Sequence, residues 1–222
     1  MRVAVMQPYF YPYMGYFRLI AAVDLFVLFD CVQFPRRGRV HRTEVPDHAG
    51  ARRWLTLPLA RQPQETRIDA LAFAEGARAT FDARLAEVAC LAPPAAGPPE
   101  VAAALASPLD TPADYVVRNL EATAAALGVA TPMVRSSTFQ LPETVRQAER
   151  IATIARRVGA TRYLNSPGGR GLYSAEFFAG HGLALEFLAP YEGPHVMMLE
   201  SLWTAPPGAL AADAAAARVE PA

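Results

Sequence analysis

Residues 2–6, Arg2-Val3-Ala4-Val5-Met6, and residues 25–30, Leu25-Phe26-Val27-Leu28-Phe29-Asp30, bracket the segment Gln7-Pro8-Tyr9-Phe10-Tyr11-Pro12-Tyr13-Met14-Gly15-Tyr16. Residues 2–6 read as a buried strand, and 25–29 form a continuous apolar run ending at Asp30, the pattern of a parallel strand covered on both faces. Between them, residues 13–23 carry Phe17, Leu19, Ile20 and Val23 at helical spacing, so the opening of the chain predicts β-loop-α-β. A right-handed crossover then places the loop at residues 8–13 on the carboxyl edge of the sheet, beside the end of the next strand at Asp30. The fold class expected is α/β: a parallel-sheet, three-layer core with an additional helical segment.

Working outward, residues 31–50 read as an arginine-rich loop or hairpin leading to a strand at 53–59, and a helix is expected around 77–91. Pro93, Pro94, Pro98 and Pro99 predict a stiff loop, and Pro112 stands near the start of a helix over 112–127. Residues 133–137 are strand-like, and 142–158 form an amphipathic helix closed by Gly159. A strand at 161–164, a glycine-containing loop at 165–171, a short helix at 174–179 and a strand at 184–188 follow. Residues 205–222 are rich in Ala and Pro and read as a frayed tail, which leaves 1–204 as one domain, the natural count for 222 residues.

The formal net charge is zero, which argues against nucleic-acid or membrane-surface binding driven by bulk charge. All 21 basic residues are arginine. Schiff-base catalysis and a phosphate-binding lysine are therefore excluded, and an anion has to be held by guanidinium or backbone N–H groups. Two cysteines make no disulfide framework, no secretory signal opens the chain, and the apolar runs fall short of a membrane span, so a reducing cytoplasm is the expected compartment. The four histidines are scattered without metal-ligand spacing, and no metal site is expected.

The first loop is a candidate ligand wall. Its prolines stiffen it, Gly15 permits close approach, and the following helix start offers N–H groups to an anion; a packed aromatic corner is the other reading. Gln7, Tyr9, Tyr13 and Tyr16 are its candidate binding residues. Asp30, Cys31, Gln33, Arg36, Arg37, His41 and Arg42 fall within thirteen residues. Cys31, with His41 returned by a hairpin, can supply a nucleophile, or Asp30 can act as base toward an amine; a small buried hydrophobe is the alternative for Cys31. Arg36, Arg37 and Arg42 either bind an anion or form a solvated face. Asn165, Gly168 and Gly169 follow a strand at the same carboxyl edge, where backbone N–H groups can face a phosphate or oxyanion, or where a plain turn can sit.

Residues 1–16, the run Phe29-Asp30-Cys31-Val32-Gln33-Phe34-Pro35-Arg36-Arg37-Gly38, the run Trp54-Leu55-Thr56-Leu57-Pro58, and Gly159 to Gly169 with Leu172 and Tyr173 together resemble the WbqC-like protein family, in order, over about residues 1–204. That resemblance implies work in polysaccharide or natural-product biosynthesis, with acyl or glycine transfer as the activity attached to some members. The family pattern continues Gly-Trp-x-x-Arg-Asn-Arg where this chain has Gly38-Arg39-Val40-His41-Arg42-Thr43-Glu44, so Arg39 and Thr43 replace a Trp and an Asn. Ser166-Pro167 before the glycine pair is a second departure. The opening also resembles, more remotely, the HUP-like nucleotidyltransferases, with Tyr13 and Tyr16 where those enzymes carry a His-x-x-His pair.

Together these readings point to a transferase moving an acyl or aminoacyl group onto an amine of a small metabolite or amino-sugar nucleotide. The co-substrate expected is an acyl thioester or a nucleotide, with an acyl or peptidyl carrier protein as a partner for the basic loop. Nucleotidyl transfer or ATP-dependent ligation, and a non-catalytic binding module of a biosynthetic complex, are the alternatives.

Overall fold

The apolar N-terminal run forms β1 (Arg2–Met6), followed by α1 (Met14–Ala21) and β2 (Leu25–Leu28), with β1 and β2 parallel and Val3 opposite Leu25. The computed structural model describes residues 1–93, 96–206 and 208–222. After β2 the chain leaves the sheet for an antiparallel hairpin of β3 (Arg42–Pro46) and β4 (Arg52–Thr56), then builds α2 (Ala77–Ala86), α3 (Pro99–Ala106) and α4 (Pro112–Ala126). It returns through β5 (Met133–Arg135), α5 (Gln147–Arg157), β6 (Arg162–Asn165), α6 (Ala175–Gly180) and β7 (Ala184–Leu188), and ends with α7 (Met198–Thr204), α8 (Ala209–Ala215) and β8 (Val219–Pro221).

The central sheet runs β5-β2-β1-β6-β7-β8, and every neighbouring pair is parallel except β7 and β8. From β1 the chain moves to β2 and β5 on one side, then crosses back to β6 on the other. The reversal lies between β1 and β6, where the loops leaving the two carboxyl ends part and open a crevice. Side chains of β1 and β2 serve two cores in alternation. Ala4, Phe26 and Leu28 pack with α1, α4 and α7, while Val3, Val5 and Val27 pack against Ile151 and Ile154 of α5 and Phe178 of α6. Two covered faces require the continuous apolar runs seen in the sequence, and the result is a three-layer α/β core.

Local chemistry sets the helix starts. Thr111 accepts the Asp114 N–H at 3.1 Å and Pro112 opens α4, while Ser174 accepts the Phe177 N–H to start α6. Pro99, expected in a stiff loop, instead starts α3, because its missing N–H costs nothing at a first helical position. Pro94 of that loop lies outside the described residues. The helix expected from residue 142 begins at Gln147, whose φ of 51° breaks any helix arriving from before it.

The C-terminal stretch departs furthest from expectation. In place of a frayed tail it forms α8, which packs on α1, and β8, whose Val219 pairs with Leu188. Ala214 is fully buried and Asp213 pairs with Arg18 at 2.7 Å. Composition alone conceals this, because small Ala side chains pack well only when a partner face already exists. Among the described residues, no helix is long and apolar enough to cross a membrane.

Candidate functional site

The first loop is held by its own hydroxyl groups. Tyr16 donates to the Gln7 carbonyl at 2.7 Å, and the Tyr9 ring packs on Tyr16 with centroids 5.4 Å apart. Tyr11 takes a φ of 44°, buries its ring and donates to Asn119 Oδ1 at 2.6 Å, while its carbonyl accepts from Thr43 Oγ1. The start of α1, expected to be open to an anion, is closed. The Met14 N–H donates to the His195 carbonyl at 2.9 Å, and the Tyr13 ring lies against Gly15 and near Tyr191. Tyr13 and Tyr16 are therefore packing residues, and only Gln7 and Tyr9 of this loop reach the cleft.

That cleft lies on the carboxyl edge and has two halves that share Gln7, Phe29, Ile151 and Tyr173. The first half, a cavity of about 350 Å³ at the β1–β6 reversal, is lined by Tyr9, Tyr163, Asn165 and Gly169 among others, and not by any charged side chain. Asn165 Oδ1 accepts the Ser166 N–H at 2.8 Å, which fixes the amide and leaves Nδ2 over Gly169. A Cβ at Gly169 would fall 2.1 Å from that nitrogen, so the close fit needs glycine there. Tyr163 is fully buried, and its hydroxyl has no hydrogen-bond partner among the described residues. A buried polar atom left in that state costs about 1–3 kcal/mol. Burial also raises the Tyr163 pKa well above the usual phenol value, with Tyr173 adding to the effect, so the group is a neutral hydroxyl.

The second half, about 730 Å³, is lined by Cys31, Glu65, Arg67, Glu143, Arg146 and Arg150. Arg150, on the first turn of α5, is only 7 % exposed. Its guanidinium donates to the carbonyls of Val145 and Pro142 and, at 3.3 Å, to Cys31 Sγ. Among the described residues no carboxylate pairs with it. A buried cation ordinarily has a counter-charge, and the group that meets this guanidinium in the cleft is the sulfur of Cys31.

Asp30 is placed for a different task. It is fully buried and accepts from Arg135 Nε, the Ser137 N–H at 2.8 Å, and the hydroxyls of Ser136 and Ser137 at 3.1 and 3.0 Å. With both oxygens so occupied, it staples the end of β2 to the end of β5 and has no oxygen left to take a proton from an amine. That corrects its reading as a base.

His41 does not meet Cys31 either. Its ring packs edge-on against Phe34 at 4.9 Å and lines a separate recess with Arg36, Arg61 and Arg84. Burial, with Arg42 adding, lowers its pKa to about 4, so the ring is neutral; its buried Nδ1 has no partner among the described residues. Arg42 is spent on the carbonyls of Gly38 and Arg37 and on the Trp54 ring. Arg36 donates to the Gln62 carbonyl, and with Arg37 it lines a surface recess that meets the cleft only at Gln33. Of the family-pattern departures, Arg39 pairs with Glu44 at 2.8 Å and lies over Trp54, while Thr43 ties the hairpin to Tyr11. Both serve the scaffold.

Gln7, Tyr9, Cys31, Gln33, Asn165, Gly168 and Gly169 thus converge on the cleft, whereas Tyr13, Tyr16, Arg36, Arg37, His41 and Arg42 lie outside it. Sequence reasoning missed Arg150, Arg146, Arg67 and Tyr163. A signal existed for Arg150, which stands one residue before Ile151 of the apolar face of α5. No group of His, Cys, Asp or Glu able to hold a metal occurs among the described residues.

No solved structure matches the chain. It is 27% identical over 189 residues, 80% of this chain and 77% of the other, to the uncharacterized protein Rv1507c of Mycobacterium tuberculosis. The sequence profile of the WbqC-like family matches residues 7–196, which begins just after β1, runs from α1 through β7 and takes in every residue that lines the two halves of the cleft except Val5 and Met6. The chain belongs to the WbqC-like protein family.

Proposed function

We propose that the protein is a biosynthetic transferase that moves an acyl or aminoacyl group onto the amine of a small metabolite, through Cys31. The observation that carries this reading is the contact of Cys31 Sγ with a buried guanidinium that lacks a carboxylate partner, in a cleft at the carboxyl edge. In the proposed sequence the Cys31 thiolate attacks the carbonyl carbon of a thioester, the donor's C–S bond breaks, and the departing thiolate takes a proton. The amine then attacks the acyl-cysteine and loses a proton as the new C–N bond forms, and Cys31 leaves as thiolate beside Arg150. Glu65 and Glu143 line the same half and can accept the amine's proton.

Arg36 and Arg37, which border the cleft through Gln33, suit a thioester presented by an acidic carrier protein. The test is incubation with acetyl and glycyl thioesters of N-acetylcysteamine, followed by intact-mass and peptide mapping. The expected result is one acyl group on Cys31, discharged by added amine. A Cys31→Ala variant with undiminished transfer would overturn the nucleophile. Pyrophosphate release from ATP or CTP is not expected, and its detection would replace acyl transfer by nucleotidyl transfer.

A further inference from the structure

We infer that the uncharged half of the cleft is a nucleobase subsite, and that the ligand spanning both halves is a nucleoside phosphate. Three properties of the cavity select the ring. Its volume of about 350 Å³ lies at the small end of ligand pockets and suits one ring system. Its walls are flat and apolar, with Phe29, Tyr9 and Tyr173 beside Val5, Met6 and Leu172. Its polar side chains are all uncharged: the Gln7 and Asn165 amides, Ser166, and the phenols of Tyr9, Tyr173 and Tyr163, the last fully buried with a hydroxyl that lacks a partner among the described residues.

Each alternative ring or chain leaves something unpaired. A hexose would bury hydroxyl groups against walls that offer mostly carbon. An aliphatic chain would leave the Tyr163 hydroxyl as it stands and desolvate both amides as well. A charged group would enter a half that offers no counter-charge. A nucleobase presents apolar faces to the aromatic walls and, along its edge, donors and acceptors for the Gln7 and Asn165 amides and the Tyr163 hydroxyl. Across Gln7 the lining is charged, with Arg67, Arg146 and Arg150 beside Glu65 and Glu143. Arg67 pairs with Asp69 and Arg150 is spent on Cys31 and two carbonyls. Arg146 uses only Nε, on the Glu143 carbonyl, and keeps the rest of its guanidinium for the phosphate of the same molecule.

This inference rests on the reading of the cleft as the substrate site but not on Cys31 chemistry. The experiment is calorimetric titration of the intact protein with uridine, cytidine, adenosine and guanosine, their 5′-monophosphates, N-acetylglucosamine and hexanol. At least one nucleoside is expected to bind, roughly tenfold more weakly to Tyr163→Phe, where one hydrogen bond is lost in a dry site. Gly169→Ala should abolish nucleoside binding, because the added methyl displaces Asn165. The monophosphate should bind more tightly than its nucleoside, and Arg146→Gln should remove that gain. Nucleoside binding is measured without an acyl donor and acylation of Cys31 without a nucleotide, so failure of the acyl-transfer reading and failure of this one are separable. No nucleoside binding at millimolar concentration by folded protein, binding of the sugar or hexanol instead, or nucleoside binding indifferent to Tyr163→Phe and Gly169→Ala would overturn the subsite. A monophosphate no tighter than its nucleoside would overturn the assignment of the charged half.

Discussion

The two halves of the cleft share a floor but treat buried polarity in opposite ways. In the charged half the buried cation is complete, since Arg150 spends all three of its nitrogens on Val145, Pro142 and Cys31. In the uncharged half the buried Tyr163 hydroxyl is left without a partner. A satisfied group holds its neighbours in place, which suits a residue that must keep a sulfur aimed. An unsatisfied one gains most when a ligand arrives, which suits recognition. On the proposed reading the fold separates holding a reactive atom from recognising a molecule, with Gln7 at the boundary.

The sharpest way to break that contrast is to remove the sulfur. Cys31→Ala should lower acyl transfer by roughly 10³-fold or more while leaving thermal stability little changed. In the parent protein, mass-mapped alkylation by iodoacetamide should fall on Cys31 ahead of Cys90, whose thiol is pushed up to about 11 by burial, with Glu200 adding. Next in size, Arg150→Met strips the carbonyls of Pro142 and Val145 of their donor and should cost about 2–4 kcal/mol in urea unfolding. The same variant should slow Cys31 alkylation. If stability falls but alkylation does not, the guanidinium is a strut only, and the contrast between the halves loses its catalytic side.

Gly169→Ala tests the other half and should cost about 1–3 kcal/mol through overpacking against Asn165, with Cys31 alkylation unaffected. His41, outside both halves, provides a control through pH. Its ring binds a proton near pH 6.5 in the unfolded chain but only near 4 when folded. The unfolded state therefore holds more protons between those values, and stability falls as pH drops through that window. His41→Phe should remove about 1–2 kcal/mol of that fall, allowing for solvent screening, with transfer activity retained at neutral pH. The smallest effect has the opposite sign. Tyr163→Phe removes an unpartnered hydroxyl and should raise ligand-free stability by about 1 kcal/mol in thermal melts.

The first β-loop-α-β was legible because a doubly covered strand leaves a run of apolar residues that nothing else explains, and β7 falls at its expected bounds although Glu186, paired with Arg2 and Arg162, interrupts its apolar run. The glycine loop was legible from its place after a strand. The Cys31–His41 pairing failed because a hairpin's register cannot be read from its arginines, and β3 begins just after His41 with the ring turned to Phe34. Asp30 was found but misassigned, since its saturating donors come from Arg135, Ser136 and Ser137, about a hundred residues away in sequence. Arg150 and Tyr163 were missed because both sit in elements where composition assigns them ordinary places. An arginine on a helix reads as surface, and a tyrosine in a strand reads as core.

The last strand has a practical consequence for anyone shortening the chain. The family match stops at residue 196, yet β8 covers the outer hydrogen-bonding edge of β7 and α8 covers α1. Trimming to the shared boundaries would bare a hydrophobic parallel edge of the kind that recruits strands from other molecules. It would also release Arg18 from Asp213 and Arg170 from Glu220. Material so trimmed would be expected to clump, and its silence in an assay would say nothing about the cleft. For the same reason an affinity tag belongs on a spacer beyond Ala222, not fused directly to Pro221.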